Sequence, residues 1–165
     1  MNYQSPFKTC FNYMIQFEGG LSDDNDDNGG LTNFGISQKQ YPNLDIKNLT
    51  MDEAMDIYYK DYFLPNRDLF KYGNEPYLFD CVVNMGRKTT VLIIQRSLNA
   101  LMANIVEDGV FGNQTKKSLE CKISSGFVPL YKATRSEAYR LITAHNPTQE
   151  KFLKGWLKRS CSNYY

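Results

Sequence analysis

Apolar residues recur at helical spacing over most of the chain, and one polar segment interrupts them near the amino end. A first helix is predicted to begin at Ser5-Pro6, since Ser is a favourable N-cap and Pro suits the first helical turn. Phe7, Phe11 and Met14 lie on one face of that helix, and Gly19-Gly20 is predicted to end it. The chain therefore opens with an amphipathic helix that stops at two glycines.

The polar interruption is the segment 22–30, whose sequence SDDNDDNGG contains only Ser, Asp, Asn and Gly. That composition predicts a loop rich in turns. The next residues, from Leu31 to Ile36, are predicted to form a short strand or one arm of a hairpin. A small β element is therefore expected near residues 21–36.

Helical periodicity returns after this element and continues almost to the end of the chain. The residues from Thr50 to Glu53 form a capping box, which predicts a helix start. An apolar helix is predicted to end at Gly86, and a long helix is predicted to stop at Asn146-Pro147. Three further helices are predicted: one over about 89–103, a short one that ends at about residue 123, and one over 152–158. The predicted fold class is mainly α.

Composition agrees with a compact globular protein. Apolar residues make up 42% of the 165-residue chain and charged residues 22%, which is ordinary for a soluble domain. No segment approaches the roughly 18 apolar residues that a membrane span requires, so no stable membrane insertion is expected. Residues 1–17 lack a basic region followed by an apolar run, so no signal peptide is expected.

Charge is distributed unevenly along the chain, although the net charge is only +1. Residues 1–65 hold four Lys/Arg against ten Asp/Glu, whereas residues 116–165 hold ten Lys/Arg against three Asp/Glu. The basic final third would suit an anionic polymer. Charge alone leaves nucleic acid, bacterial wall, anionic lipid and an ordinary solvated helix face all open.

The cysteines and the single histidine argue against a zinc or iron–sulfur site. None of the four cysteines forms a C-x-x-C pair, and His145 is the one histidine. Cys10 and Cys81 lie in apolar helical runs and are expected to be free buried thiols. A bridge between Cys121 and Cys161 stays open.

The polar loop partly matches a calcium-binding loop. Asp24, Asp26, Asn28 and Gly29 fit positions 1, 3, 5 and 6 of an EF-hand. Position 12, which should be a bidentate Glu, is Gly35. No metal is therefore expected here.

Glu18 is the candidate for chemistry. It follows Phe7, Phe11 and Met14 at helical offsets, so its carboxyl shares the apolar face and is expected to be partly desolvated. Burial favours the protonated form of a carboxyl, which a general acid needs. The four aspartates of the next loop offer a second group, as glycosidases require. The alternative is an ordinary glutamate that reaches water at a helix end.

Longer motifs resemble one enzyme family. Glu18-Gly-Gly followed by DNGGLTNFGI, from Asp27 to Ile36, resembles the E-G-G and D-x-G-G-x-T-N-x-G-I patterns of glycoside hydrolase family 108 lysozymes. The residues from Leu78 to Gly86, LFDCVVNMG, resemble the family's F-D-x-A-V-N-x-G. DGVFGNQT, from 108 to 115, fits the predicted peptidoglycan-binding second half. Two departures are Phe34, where the family often has Trp or Tyr, and Val82, where it commonly has Ala.

This resemblance implies an α+β lysozyme-like helical bundle with a catalytic region at 1–75 and a helical peptidoglycan-binding region at 76–165. It implies an N-acetylmuramidase that cleaves the β-1,4 bond between N-acetylmuramic acid and N-acetylglucosamine, with Glu18 as the catalytic acid. The expected partner is peptidoglycan rather than nucleic acid, with no cofactor and no metal. A monomeric phage or prophage endolysin that reaches the wall after release or export is expected.

A looser similarity concerns the partners of the acid. Phage-type lysozymes outside the family place Glu, Asp and Thr at spacings of nine and then six residues. Here Glu18, Asp27 and Thr32 lie nine and five residues apart. Asp27 and Thr32 are therefore predicted to hold the hydrolytic water, although turn chemistry explains Asp27 equally well and a strand position explains Thr32.

Three further residues are predicted to bind substrate. Asn33 would bond a glycan amide, and Asn84 and Gly86 would line the floor of the cleft, with a turn and a helix cap as the structural alternatives. Trp156 is predicted to lie in the core rather than to form a sugar platform.

Two other functions stay open at this level. A lytic transglycosylase would use Glu18 alone and leave an anhydro sugar. A non-catalytic wall-binding module would cleave nothing.

Overall fold

A computed structural model describes residues 3, 5–21, 30–123 and 126–164. The fold is mainly α with one small antiparallel sheet, as predicted. It divides into two compact units, Met1–Arg67 and Asp68–Tyr165, which are described separately below. Within the described ranges, no helix has the length and apolar character that crossing a membrane requires.

The first unit begins with helix α1, Ser5–Ile15, which packs through aromatic rings. Phe7 lies 4.9 Å from Tyr59 and 5.2 Å from Phe63 between ring centroids, and Phe11 lies 5.8 Å from Tyr58. These edge-on and tilted contacts are the geometries that aromatic quadrupoles favour. The apolar stripe predicted for this helix is therefore its buried face.

The small sheet is a hairpin whose strands are joined by a two-residue loop. Strands β1, Thr32–Asn33, and β2, Ile36–Ser37, pair antiparallel, with Thr32 opposite Ser37. The connecting residues Phe34 and Gly35 both have positive φ, of 51° and 77°. Two successive left-handed residues match the right-handed twist of the strands they join.

Helix α2, Met51–Ile57, starts at the predicted capping box. The Glu53 amide donates to the Thr50 hydroxyl at 3.3 Å, and the Thr50 amide donates to the Glu53 carboxylate at 2.9 Å. The chain continues as a π-helical turn, Tyr58–Phe63, and a 3₁₀ turn, Leu64–Asn66. These two turns complete the described helical structure of the first unit.

The described residues of the second unit contain four α-helices, besides a 3₁₀ turn at Pro147–Gln149. They are α3, Glu75–Ala100, α4, Asn113–Lys122, α5, Phe127–His145, and α6, Glu150–Cys161. The break predicted at Gly86 is present as a kink, with φ 79° and ψ 162°, after which α3 continues. All four cysteines are free, and Cys10 and Cys81 are buried as expected.

A buried ionic cluster joins three helices of this unit. Asp80 of α3 lies 2.6 Å from a guanidinium nitrogen of Arg135 in α5 and 2.6 Å from one of Arg159 in α6. The exposed fractions of the three residues are 0%, 1% and 6%. Buried charges occur where they are paired. One carboxylate therefore compensates two buried guanidinium groups and ties the helices together.

Candidate active site

Glu18 lies on a turn just beyond α1. The helix ends at Ile15, earlier than predicted, and the amides of Phe17 and Glu18 donate to the carbonyls of Met14 and Ile15 at 3.0 and 3.2 Å. The side chain of Glu18 is half-buried. The carboxyl is therefore carried by a tightly hydrogen-bonded turn and is neither fully solvated nor fully enclosed.

The carboxyl of Glu18 lies directly against the hairpin turn. A Cβ atom built on Gly35 would lie 2.5 Å from Oε2 of Glu18 and 2.7 Å from the hydroxyl oxygen of Tyr58. Both distances are shorter than non-bonded contacts of a Cβ atom, which essentially never fall below 3.0 Å. Gly35 itself is exposed. The glycine therefore leaves the space that the carboxyl and the phenol occupy, at a place that solvent or a substrate can reach.

Tyr58 holds the hairpin turn at Phe34 and Gly35 by a hydrogen bond. Its hydroxyl donates to the carbonyl oxygen of Phe34 at 2.9 Å, and its side chain is buried. Its ring packs against Phe11 and lies 5.4 Å from the ring of Tyr62. We infer that Tyr58 positions the backbone beside Glu18. Local sequence patterns do not single out Tyr58, because its hydrogen bond joins residues 24 positions apart.

Thr32 belongs to the same hairpin as Gly35. Its side chain is half-buried, and its hydroxyl donates to the carbonyl of Gly30 at 3.1 Å. The structure thus brings the hairpin that carries Thr32 against Glu18. Asp27 lies outside the described residues, as does the run from Asp24 to Gly29 that resembles a calcium loop. In the described part of the chain, no group of three or more His, Cys, Asp and Glu residues converges as a metal site would require.

Asn33 has a structural function in the first unit. Its exposed fraction is 7%, and its amide nitrogen donates to the carbonyls of Ile46 and Leu49 at 3.2 and 3.4 Å. These bonds hold the hairpin against the segment that precedes α2. Binding of a glycan by Asn33 stays a prediction.

Asn84 and Gly86 belong to the second unit, at the kink of α3. Asn84 is exposed, and its carbonyl oxygen accepts a hydrogen bond of 2.5 Å from the Tyr139 hydroxyl. Gly86 is also exposed, and nothing would meet a Cβ atom built on it within 4 Å. Gly86 therefore serves the backbone kink, and Asn84 is the one of the two that offers a polar side chain.

Trp156 differs from the prediction that it lies in the core. It is half-buried, stacks on Tyr139 at 5.1 Å and on Phe152 at 5.8 Å, and lines a cavity of about 370 Å³ that Asn84 also lines. The sequence could not reveal this, because the amphipathic pattern of α6 does not distinguish a core position from the wall of a groove.

Gly35→Ala should lower the expected wall hydrolysis by about 10²-fold, the loss that a displacement of roughly 1 Å at a reacting group produces. The added methyl would displace the Glu18 carboxyl, whereas left-handed strain alone costs only about 1–2 kcal/mol. Lysis of purified walls measures the effect, and circular dichroism checks the fold.

Gly73→Ala is the matched control for Gly35→Ala, because Gly73 has φ 80° and nothing within 4 Å of a Cβ atom. It carries the same backbone strain without the contact to Glu18. An equal loss of hydrolysis in both variants would contradict a special role for the Gly35 contact.

Two family models match consecutive parts of the chain. The family model described as glycosyl hydrolase 108 matches residues 11–86, which include Glu18 and the hairpin. The model described as a predicted peptidoglycan domain matches residues 89–161. No curated protein sequence matches the chain at a significant level.

A solved structure is similar in fold. The structure of Brucella abortus SagA superposes with a TM-score of 0.71 at 23% sequence identity, over 93% of this chain and 88% of that one. At this identity the likeness speaks for the fold alone. The two family models carry the assignment, since together they extend over nearly the whole sequence in the expected order. Residues 11–86 belong to the glycosyl hydrolase 108 family, and the chain is a peptidoglycan hydrolase whose second half matches the predicted peptidoglycan domain.

Proposed function

We propose that Glu18 is the general acid that protonates the glycosidic oxygen between N-acetylmuramic acid and N-acetylglucosamine. The observation that carries this proposal is the position of its carboxyl, which is half-buried and lies against the exposed turn at Gly35. A proton donor must reach the leaving oxygen while it is shielded from bulk water. The matched family segment contains this glutamate.

Hydrolysis requires a second group. As the bond to the anomeric carbon breaks, positive charge develops there, and water adds from a position that a carboxylate or hydroxyl prepares. We assign this to Asp27 with Thr32, since Thr32 lies in the hairpin that contacts Glu18 and Asp27 precedes that hairpin by five residues. The adding water loses one proton, which replaces the proton that Glu18 gives to the leaving oxygen, and no cofactor takes part.

The bond that is cleaved can be tested by the identity of the new reducing end. Purified peptidoglycan should be digested, reduced with borohydride and hydrolysed, and its amino sugars analysed. Cleavage as proposed converts muramic acid to muramitol. Appearance of glucosaminitol instead would show that the enzyme cleaves the other β-1,4 bond of the glycan.

Asp27→Asn should lower hydrolysis by about 10²–10⁴-fold, the usual contribution of a carboxylate that positions water. Three neighbouring aspartates of the same loop provide matched controls, and Asn at each should leave the rate close to that of the wild type. The controls are Asp23, Asp24 and Asp26. If another loop aspartate proves essential while Asp27→Asn retains its rate, the assignment is wrong.

We also propose that the protein acts as a monomeric phage or prophage endolysin, because its substrate lies outside the cytoplasm and one chain supplies both the hydrolase and the wall-binding part. Expression inside bacteria should cause lysis only when a second protein permeabilises the inner membrane. Rapid lysis without such a protein would show another route to the wall.

A further inference from the structure

The second unit contains a groove between α3, α5 and α6 that the proposed chemistry does not use. Its volume is about 370 Å³, within the range of about 300–1,000 Å³ typical of small-molecule sites. Several of its apolar side chains remain accessible, Ile142 among them at 39%. The wall includes Asn84, Met85, Thr89, Tyr139, Ile142 and Trp156.

An ordered indole forms one side of this groove. Trp156 stacks on Tyr139 and on Phe152, with interplanar angles of 23° and 28°. Two stacked neighbours restrict the indole to one orientation, so little conformational entropy remains to be lost on binding. The part of the indole that lines the groove offers an apolar surface with a polar N–H edge, which suits contact with a pyranose ring.

Two consecutive hydrogen bonds orient the Asn84 amide on the other side of the groove. Arg135, which is paired with Asp80, donates to the Tyr139 hydroxyl at 2.9 Å, and that hydroxyl donates to the Asn84 carbonyl oxygen at 2.5 Å. Burial raises the pKa of Tyr139 to about 12, so the phenol stays protonated and remains a donor at neutral pH.

The hydrogen bond from Tyr139 determines which end of the Asn84 amide faces a ligand. Because the carbonyl oxygen accepts from Tyr139, the amide nitrogen is the end left to interact elsewhere. Among the described residues, none accepts a hydrogen bond from that nitrogen. Asn84 is exposed and lines the groove, so its two N–H groups are available to an acceptor bound there.

We propose that this groove binds one N-acetylated sugar of a peptidoglycan strand, with Trp156 against the pyranose ring and the Asn84 amide donating to the acetamido carbonyl. The proposal rests on peptidoglycan as the substrate. The matched peptidoglycan domain contains Tyr139 and Trp156. The second unit also holds fourteen Lys/Arg against eight Asp/Glu, and this charge of +6 attracts an anionic wall. The groove would retain the strand independently of cleavage.

The single tryptophan makes the groove observable. Trp156 is the one Trp of the sequence, so intrinsic tryptophan fluorescence reports on this side of the groove. The full chain carrying Glu18→Gln, which should not cleave, would be titrated with a tetramer of N-acetylglucosamine. We expect a saturable change in emission. A cellulose tetramer, which lacks acetamido groups, should bind at least about fivefold more weakly, the equivalent of one hydrogen bond of about 1 kcal/mol.

Two variants test the assignment of residues. Asn84→Ala should weaken binding of the N-acetylglucosamine tetramer about fivefold and remove its preference over the cellulose tetramer. Ile142→Arg changes an accessible groove residue outside the hydrogen-bonded chain, so it should fold normally and block binding by occupying the groove. A melting curve for each variant checks that the fold is retained.

Failure of this proposal is distinguishable from failure of the proposed function. If the wild type digests walls but the emission of the Glu18→Gln protein does not change up to millimolar tetramer, the groove does not bind the sugar. Equal affinity for both tetramers would exclude recognition of the acetamido group. If emission changes as expected but the wild type cleaves no wall, only the catalytic assignment fails.

Discussion

Glu18→Gln should reduce hydrolysis of purified walls by at least about 10²–10⁴-fold, the usual contribution of a general acid. The amide has nearly the same shape as the carboxyl, so it fits the space beside Gly35, but it cannot deliver a proton to the leaving oxygen. The melting temperature should stay close to that of the wild type. Turbidity of a wall suspension measures the rate, and circular dichroism measures the melting curve.

Glu120→Gln is the matched control for Glu18→Gln. Glu120 is an exposed residue of α4, and the same chemical change there should leave the rate unaltered. A folded Glu18→Gln protein that keeps more than a few per cent of the wild-type rate would exclude Glu18 as the acid.

Asp80→Ala should lower the free energy of unfolding by about 3–5 kcal/mol, the cost of removing one partner from a buried ionic cluster. Without the carboxylate, the guanidinium groups of Arg135 and Arg159 remain buried and uncompensated. The loss should also disturb Tyr139, which accepts a hydrogen bond from Arg135. Urea denaturation measures the change in unfolding free energy.

An exposed ion pair of the same unit provides the comparison. Asp68 accepts two hydrogen bonds of 2.8 Å from Arg87, but the side chains are 38% and 40% exposed. Asp68→Ala should therefore cost no more than about 1 kcal/mol, because solvent screens the pair. Equal losses for Asp68→Ala and Asp80→Ala would contradict the importance of burial in the Asp80 cluster.

Local signals in the sequence predicted much of the fold. Helix starts and stops depend on a few neighbouring residues, so the capping box at Thr50 and the stop at Asn146 appear where the sequence indicates. Glycines predicted the ends of helices less accurately. Gly86 bends α3 without ending it, and α1 ends at Ile15 rather than at Gly19. A glycine permits a break, but packing of the flanking residues decides whether helix resumes.

Long-range contacts account for what the sequence could not predict. Glu18 could be singled out because it follows the apolar residues of α1 closely in the chain. The contact of its carboxyl with Gly35 and Tyr58 could not, since those residues are 17 and 40 positions away in the chain and meet only in the folded unit. The same holds for Asp80, whose two arginine partners lie on other helices.

The most direct test of hydrolysis assisted by Glu18 is the mass of the product formed in ¹⁸O-labelled water. Purified glycan strands would be digested in that water and the fragments analysed by mass spectrometry. Hydrolysis predicts a gain of one water per cleaved bond, with the label at the reducing end of N-acetylmuramic acid. Fragments ending in an unlabelled anhydro sugar would instead show transglycosylation by a lone glutamate and contradict the roles of Asp27 and Thr32.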